Sequence, residues 1–455
     1  MSIPVSIVDF DRFLFAFTIA SHILLVSMSI GLALMICFVE FLFARTKDRY
    51  YAALARRFVR PFVVSFGIGT ASGIVMAVEL VNLFPTFMTL VSKTGVISIF
   101  YVEIFAFFLE TIFLVVYVYY ASSFRGRYTR FLLSLPIVVG TLLSAVLIVM
   151  VNAWMNTPNG FDISTYIASN YTTVTGVQPW APFLTTSTGY EVFHVLATVP
   201  LTGLMLIGGF LGYKYSKSKK PEEKTLFLKG FQVSVAASLA FVVLSIVSGI
   251  LQIENLYLFQ PLKFAAIELN MNPGTNQPEI LFGWLNGTTV VDAIQIPGLQ
   301  SVLAGGASLP GLSQYPQSDW PPLIIHDFFD TMVILGVLLG LFLLGFAGLW
   351  VIQRKPYDHR FFVYLFLVFT GITALVMELG WVVDELGRQP WVVYNVLPTS
   401  VAANTNTDLF YPGLVIIAAY IFLVPFTFWF MARVFRKRSL EEDLAGSGEG
   451  ADVNY

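Results

Sequence analysis

The sequence predicts an all-α integral membrane protein of nine transmembrane helices, with its N-terminus outside and its C-terminus in the cytoplasm. Three observations predict it: a charge-poor composition, nine apolar runs of spanning length, and a one-sided distribution of Lys and Arg. The 455 residues are 56% hydrophobic and 12% charged, where a soluble domain carries about 25% charged residues. A water-soluble chain of several domains is thereby excluded. The formal charge of −2 leaves no basic surplus for nucleic acid. The single cysteine, Cys37, excludes an internal disulfide and a multi-thiolate metal site, and no CxxCH motif is present for covalent haem.

Runs long enough for roughly 30 Å of hydrocarbon fall at 13–43, 61–84, 96–121, 131–152, 187–213, 226–253, 323–352, 361–383 and 410–432. The first follows Asp9 and Asp11, lacks a basic leader and a small-residue cleavage site, and exceeds a signal h-region in length, so it is expected to be retained. Nine crossings alternate sides, and cytoplasmic connections should hold the basic excess. Of 26 Lys and Arg residues, only Arg12, Lys93, Lys263 and Arg388 fall outside the odd-numbered connections, their flanks and the tail. The basic side includes Arg125, Arg127, Arg354, Lys355, Lys437 and Arg438. Two outer connections, 153–186 and 254–322, are long with little secondary-structure signal, a mark of functional or disordered loops. The acidic, Gly-rich end predicts a disordered cytoplasmic tail over 436–455. The remaining 1–435 form one membrane domain, with the external loop 254–322 inside it. No fixed-period repeat is present.

Polar side chains inside the runs carry the functional signal, because lipid makes them costly. At about 1.5 Å per residue, His22 lies roughly 14 Å into the first span. His194 in the fifth span and Met332 in the seventh lie at similar depth, and Glu378 lies near the outer end of the eighth. An imidazole and a thioether at matched depth on different helices suit the axial positions of a low-spin haem. A packing histidine and a gap-filling methionine account for the same two residues. His326, at a membrane boundary, and His359, in RKPYDHR, are expected to be solvated. Glu103 and Glu110, two turns apart, share one face of the third span. Such carboxylates relay protons or form structural hydrogen bonds, and Ser144 and Asn152 of the fourth span extend that line. Glu40 and Glu79 are further candidates. GIGTASG (67–73) has the wrong spacing for a dinucleotide loop and, like Gly336 and Gly340, reads as a helix-packing face. Sequons at Asn170 and Asn286 need a glycosylating compartment that the sequence does not establish.

Taken together, DRFLFAFTIASH (11–22), FAFFLE (105–110), SAVLIVMVNAWMNTPNGF (144–161), LKFAAIE (262–268), AIQIP (293–297) and ELGWVVDELGRQPWVVYNVLPT (378–399) resemble, in the same order, subunit I of cytochrome bd-type quinol oxidases. The resemblance covers almost the whole chain to about residue 435 and implies two four-helix bundles plus a ninth helix. It implies an electrogenic, non-pumping quinol:oxygen oxidoreductase of the prokaryotic plasma membrane, with quinol oxidised outside and O₂ reduced to water by cytoplasmic protons. It also implies a second large membrane subunit and small single-helix subunits. Among residues, it implies His194 and Met332 as ligands of a low-spin b haem. His22 and Glu378 are then ligands of a high-spin b haem and of a third haem, d or b in type. Lys263 and Glu268 match the residues of quinol oxidation, and Glu110 with Glu103 the proton path. Arg388, Gln389 and Trp391 of GRQPW become cofactor-binding residues, with Arg388 and Gln389 suited to propionates.

Three positions depart from the family pattern. Glu103 stands seven rather than eight residues before Glu110, Asp330 replaces an arginine two residues before Met332, and Ala374 replaces a tryptophan four residues before Glu378. The loop at 254–322 resembles the shorter quinol loop. Two rivals are therefore carried forward: a diverged quinol-oxidising subunit with another electron acceptor, and a non-haem proton-coupled transporter using Glu103 and Glu110.

Overall fold

The computed structural model describes residues 6–120, 126, 128–353, 356–436 and 439–445. Arg125, Arg127, Arg354, Lys355, Lys437 and Arg438, used in the charge-sidedness argument, and residues 446–455 of the expected tail lie outside the described residues. Among the described residues, nine helices are long and apolar enough to cross a membrane. They are α1 (Ile7–Thr46), α2 (Arg49–Leu83), α3 (Ile97–Tyr120), α4 (Thr129–Asn156) and α5 (Thr188–Lys217). They continue with α6 (Pro221–Phe259), α7 (Ile325–Gln353), α8 (Arg360–Gly387) and α9 (Phe410–Val434).

Each expected span is present, and several helices outrun it at a polar end. An apolar run marks only the part of a helix that suits lipid; capping decides where the helix stops. Asp48 accepts a hydrogen bond from the Tyr50 N–H, so α2 starts well before the run at 61. Pro221 at the first position of α6, with Glu222 and Glu223 in its first turn, does the same there.

The helix α1 packs on α2, α4, α5 and α9; α5 packs on α6 and α8; α3 packs on α4; and α7 packs on α8. The closest crossing joins α1 to α5 backbone to backbone: a Cβ on Gly31 would lie 2.5 Å from the Gly203 carbonyl carbon, and one on Gly203 would collide with the Ser27 carbonyl. Small residues allow such approach in a membrane interior. In GIGTASG, Gly69 and Gly73 face α1, where a Cβ would meet Val26 at 4.0 Å and His22 at 3.4 Å, whereas one on Gly67 would meet nothing of this chain within 4 Å among the described residues.

The connection after α6 carries more structure than its composition suggested. A short helix, Pro261–Ile267, is followed by two nested antiparallel pairings, Glu279–Leu281 with Ile294–Ile296 and Trp284–Asn286 with Thr289–Val291. The inner turn follows Asn286, and Gly287 adopts φ 65°, the left-handed backbone that a two-residue hairpin turn needs. Leu262, Phe264, Ile267, Leu309, Leu312 and Ile325 bury together beneath these strands. The expected disorder of 436–455 is also corrected in part. Leu440–Ala445 is helical, Leu440 and Leu444 are buried, and Asp443 pairs with buried Arg57 at 2.7 Å.

Candidate functional site

Four helices present the expected donors between helices. On α1, His22 Nδ1 lies 2.7 Å from Ser72 Oγ of α2; on α5, His194 Nδ1 lies 3.1 Å from Ser248 Oγ of α6. Among the described residues, neither Nε2 has a hydrogen-bond partner, and buried Glu378 Oε1 on α8 also has none. Glycines of neighbouring helices adjoin three of the donors. A Cβ on Gly73 would reach His22 Cε1 at 3.4 Å, one on Gly249 would reach His194 Cε1 at 4.0 Å, and one on Gly380 would reach Met332 Sδ at 3.3 Å. Among the described residues no three His, Cys, Asp or Glu side chains converge as an ion site. Single donors with uncommitted lone pairs, next to helix surfaces lacking side chains, fit planar groups ligated axially.

At the end of the bundle away from the basic connections, seven side chains form a knot, of which Asn156, Glu191, Lys263 and Arg388 are buried. Arg388 donates to the side-chain oxygens of Asn152 at 3.0 Å and Asn156 at 2.9 Å, and to Glu385. The amide N–H groups of Asn152 donate to Asp384 at 2.7 Å and Glu191 at 3.0 Å, and Asn156 donates to Glu191 at 2.9 Å. Lys263 closes the knot, 2.7 Å from Asp384 Oδ1. Asn152 therefore joins α4 to α5 and α8. Its hydrogen bonds do not extend the Glu103–Glu110 line, where Ser144 does donate to Glu103 at 3.0 Å. Glu110 is buried on the same side of α3, with its backbone nitrogen 2.8 Å from where a Gly140 Cβ would stand. Gln389 accepts from Thr399 at 2.9 Å, and Trp391 begins the strand Trp391–Val393 beside it.

Lys263 and Glu268 share the short helix region but face different partners. Glu268 accepts from Gln300 at 2.5 Å beneath the loop. Burial and the neighbouring Glu279 push its carboxyl up to about 8. His326 is not solvated as expected: it is fully buried, with Nδ1 donating to the Ile267 carbonyl at 2.7 Å and Nε2 3.5 Å from Asp330. Asp330 accepts from the Phe282 N–H at 2.5 Å, so this departure from the family pattern ties the hairpin to α7. A cleft of about 370 Å³ opens nearby, lined by Tyr257, Pro261, Pro273, Leu309 and Tyr315.

Sequence reasoning missed Glu191, Asp384, Asn156, Ser72 and Ser248. Glu191 carried a usable signal, an acidic side chain three residues before His194 in an apolar run. Asp384 did too, one turn before Arg388 in a motif already singled out. The serines carried none, since serine is common in such helices.

Fold and site define a multi-pass membrane protein whose interior donors suit redox cofactors. The chain matches the family described as cytochrome bd terminal oxidase subunit I over residues 10–439, and it belongs to that family. It is 32% identical over 443 residues, 95% of this chain and 97% of the other, to a Bacillus subtilis (strain 168) protein provisionally named subunit I of a cytochrome bd menaquinol oxidase. It is 23% identical to the cytochrome bd-II ubiquinol oxidase subunit 1 of Escherichia coli (strain K12), covering 92% of this chain and 94% of that one. The solved bd oxidase from Geobacillus thermodenitrificans superposes with a TM-score of 0.88 at 30% identity, covering 95% of this chain and 99% of that chain. Membership makes this an oxidoreductase component of bacterial electron transport in the plasma membrane, of the quinol-oxidase subunit I type. The family implies haem cofactors, a quinol substrate and a second subunit.

Proposed function

We propose that this chain is the haem-bearing subunit of a quinol oxidase that oxidises quinol at the outer face and reduces O₂ to water with cytoplasmic protons. One observation carries the reading: His22, His194, Met332 and Glu378 sit between helices, and three of them adjoin a neighbouring glycine. Haems bound there would supply one-electron transfer and the site of oxygen reduction. His194 and Met332 would hold the low-spin b haem. His22 and Glu378 would hold a high-spin b haem and a third haem of d or b type. Arg388, fixed in place by the knot, would bind propionates through its guanidinium, with Gln389 and Trp391 alongside.

In this reading the quinol ring enters the cleft beside Tyr257 and Tyr315, under the 254–322 loop. Glu268 accepts a quinol proton, and Lys263, held by Asp384, supplies a fixed ammonium. Glu110, Glu103 and Ser144 carry protons along the α3–α4 interface, and Asn152 positions the knot above them. Protons released outside and consumed from inside make the reaction electrogenic without a pump.

That sidedness places the N-terminus outside and the C-terminus inside, supported by the basic connections. The helix contacts support a bundle of α1–α4, a bundle of α5–α8, and α9 against α1 and α2. A second large membrane subunit, small single-helix subunits and lipid would cover the apolar outer faces.

A second reading, a diverged quinol-oxidising subunit with another acceptor, is favoured by the Glu103 spacing, Asp330 and Ala374. Oxygen uptake by the purified, quinol-fed complex separates the two. Reduced haems without uptake refute the oxidase. A reduced-minus-oxidised spectrum without b-type bands refutes haem binding and restores the transporter rival.

A further inference from the structure

His22 and His194 lie on different helices, yet each meets the neighbouring helix in the same way. The nitrogen facing the neighbour is Nδ1 in both, at 2.7 Å from Ser72 Oγ and 3.1 Å from Ser248 Oγ. Each serine also reaches a carbonyl of its own helix: Ser72 donates to Gly69 at 2.7 Å and Ser248 to Ser245 at 3.1 Å. A hydroxyl has one proton, and a carbonyl oxygen accepts only. The serine proton is therefore spent within its own helix, and the ring nitrogen facing the serine has to be the donor. In a neutral imidazole this leaves the lone pair on Nε2, the nitrogen without a hydrogen-bond partner among the described residues. Both serines are 1% exposed or less, so water does not compete for the contact.

The residue after each serine completes the arrangement. Gly73 follows Ser72, and Gly249 follows Ser248. A side chain at either would sit over the Cε1 edge of the ring, at 3.4 and 4.0 Å respectively from its first carbon. A Ser-Gly pair thus presents a hydroxyl to Nδ1 and a bare backbone to the flank of the same ring, twice in the chain.

We propose that Ser72 and Ser248, each with the glycine that follows, are positioning residues that hold His22 and His194 in the Nδ1–H tautomer and aim Nε2 at a haem iron. This rests on the haem reading above. A hydrogen bond from Nδ1–H raises the basicity of the ligating nitrogen and fixes the ring plane. Its loss favours the ferrous state and loosens the group, by about 10- to 100-fold in affinity for comparable partners.

The test is redox titration of the assembled complex, followed in the visible spectrum, for Ser248→Ala and Ser72→Ala. Ser248→Ala is expected to raise the midpoint of the low-spin b haem alone. Ser72→Ala is expected to raise only that of the haem on His22. A tenfold change in the ferrous-to-ferric ratio corresponds to about 59 mV for one electron. In each variant the other histidine's haem reports whether the protein is folded. The Ser→Thr variants, which keep the hydroxyl, should return each midpoint toward the parent value. Unmoved potentials and unchanged haem retention in both alanine variants overturn the inference, as does an equal shift of all haems. Absence of b-type bands in the parent complex instead refutes the haem reading itself.

Discussion

Replacing Asp384 with asparagine preserves the shape of the side chain and removes one negative charge from a buried site that holds two cations. Lys263 Nζ is 2.7 Å from Asp384 Oδ1 with its side chain 2% exposed, and Arg388 NH1 is 3.8 Å from Oδ2 with its side chain 1% exposed. Breaking such a pair leaves an uncompensated charge and costs about 3–5 kcal/mol, roughly 100- to 4,000-fold in an equilibrium constant. Glu385 still accepts from Arg388, so Lys263 is the cation left stranded, which places the expectation at about 3 kcal/mol. The assay is denaturant unfolding of the purified complex in detergent. It compares the parent, Asp384→Asn, Lys263→Met and the double variant as a cycle. The double variant should be more stable than Asp384→Asn, because methionine removes the stranded ammonium. A single variant as stable as the parent, or a cycle with no coupling, would refute the buried-charge argument.

Three further perturbations address other parts of the molecule. The folded value of Glu268, about 8, lies above its ordinary 4.5. The folded state therefore binds the proton more tightly, and this group's contribution to stability falls as pH rises from about 4.5 to 8 and is level above that. Glu268→Gln should remove that slope, and should also remove a rise in quinol oxidation toward pH 8; an unchanged pH profile contradicts both. Gly203→Ala should force α1 from α5 and destabilise by about 1–3 kcal/mol, read as a lower thermal midpoint; an unchanged midpoint shows that the crossing has slack. Asp330→Ala, which loses the Phe282 bond and the His326 pair, should speed proteolysis within 279–296, whereas Ala at exposed Asp292 should not. Equal cleavage of the two variants contradicts the anchoring role.

The spans and the donor positions could be read from the chain because each depends on a short stretch of it. Hydropathy is a property of consecutive residues, so all nine helices stood out. The depth of His22, His194, Met332 and Glu378 follows from counting along a helix of known rise. Their partners could not be read, because partners lie far away in sequence. Ser72 is 50 residues from His22, and Asp384 is 121 from Lys263. The burial of His326 likewise needed the loop to fold over α7. Composition under-described that loop, since its pairings are three residues long and carry little periodicity.

By itself the sequence determined the membrane class, the number of crossings and which helices bear the donors, since the cost of placing polar groups in lipid acts on local segments. Only the tertiary structure decided that Lys263 turns to Asp384 and away from Glu268, that Asn152 serves the Arg388 knot, and that a serine stands behind each of two histidines. Those choices depend on which helix faces which and at what rotation. That is set by side-chain packing and by contacts such as Gly31 against Gly203, where nothing but two bare backbones fits.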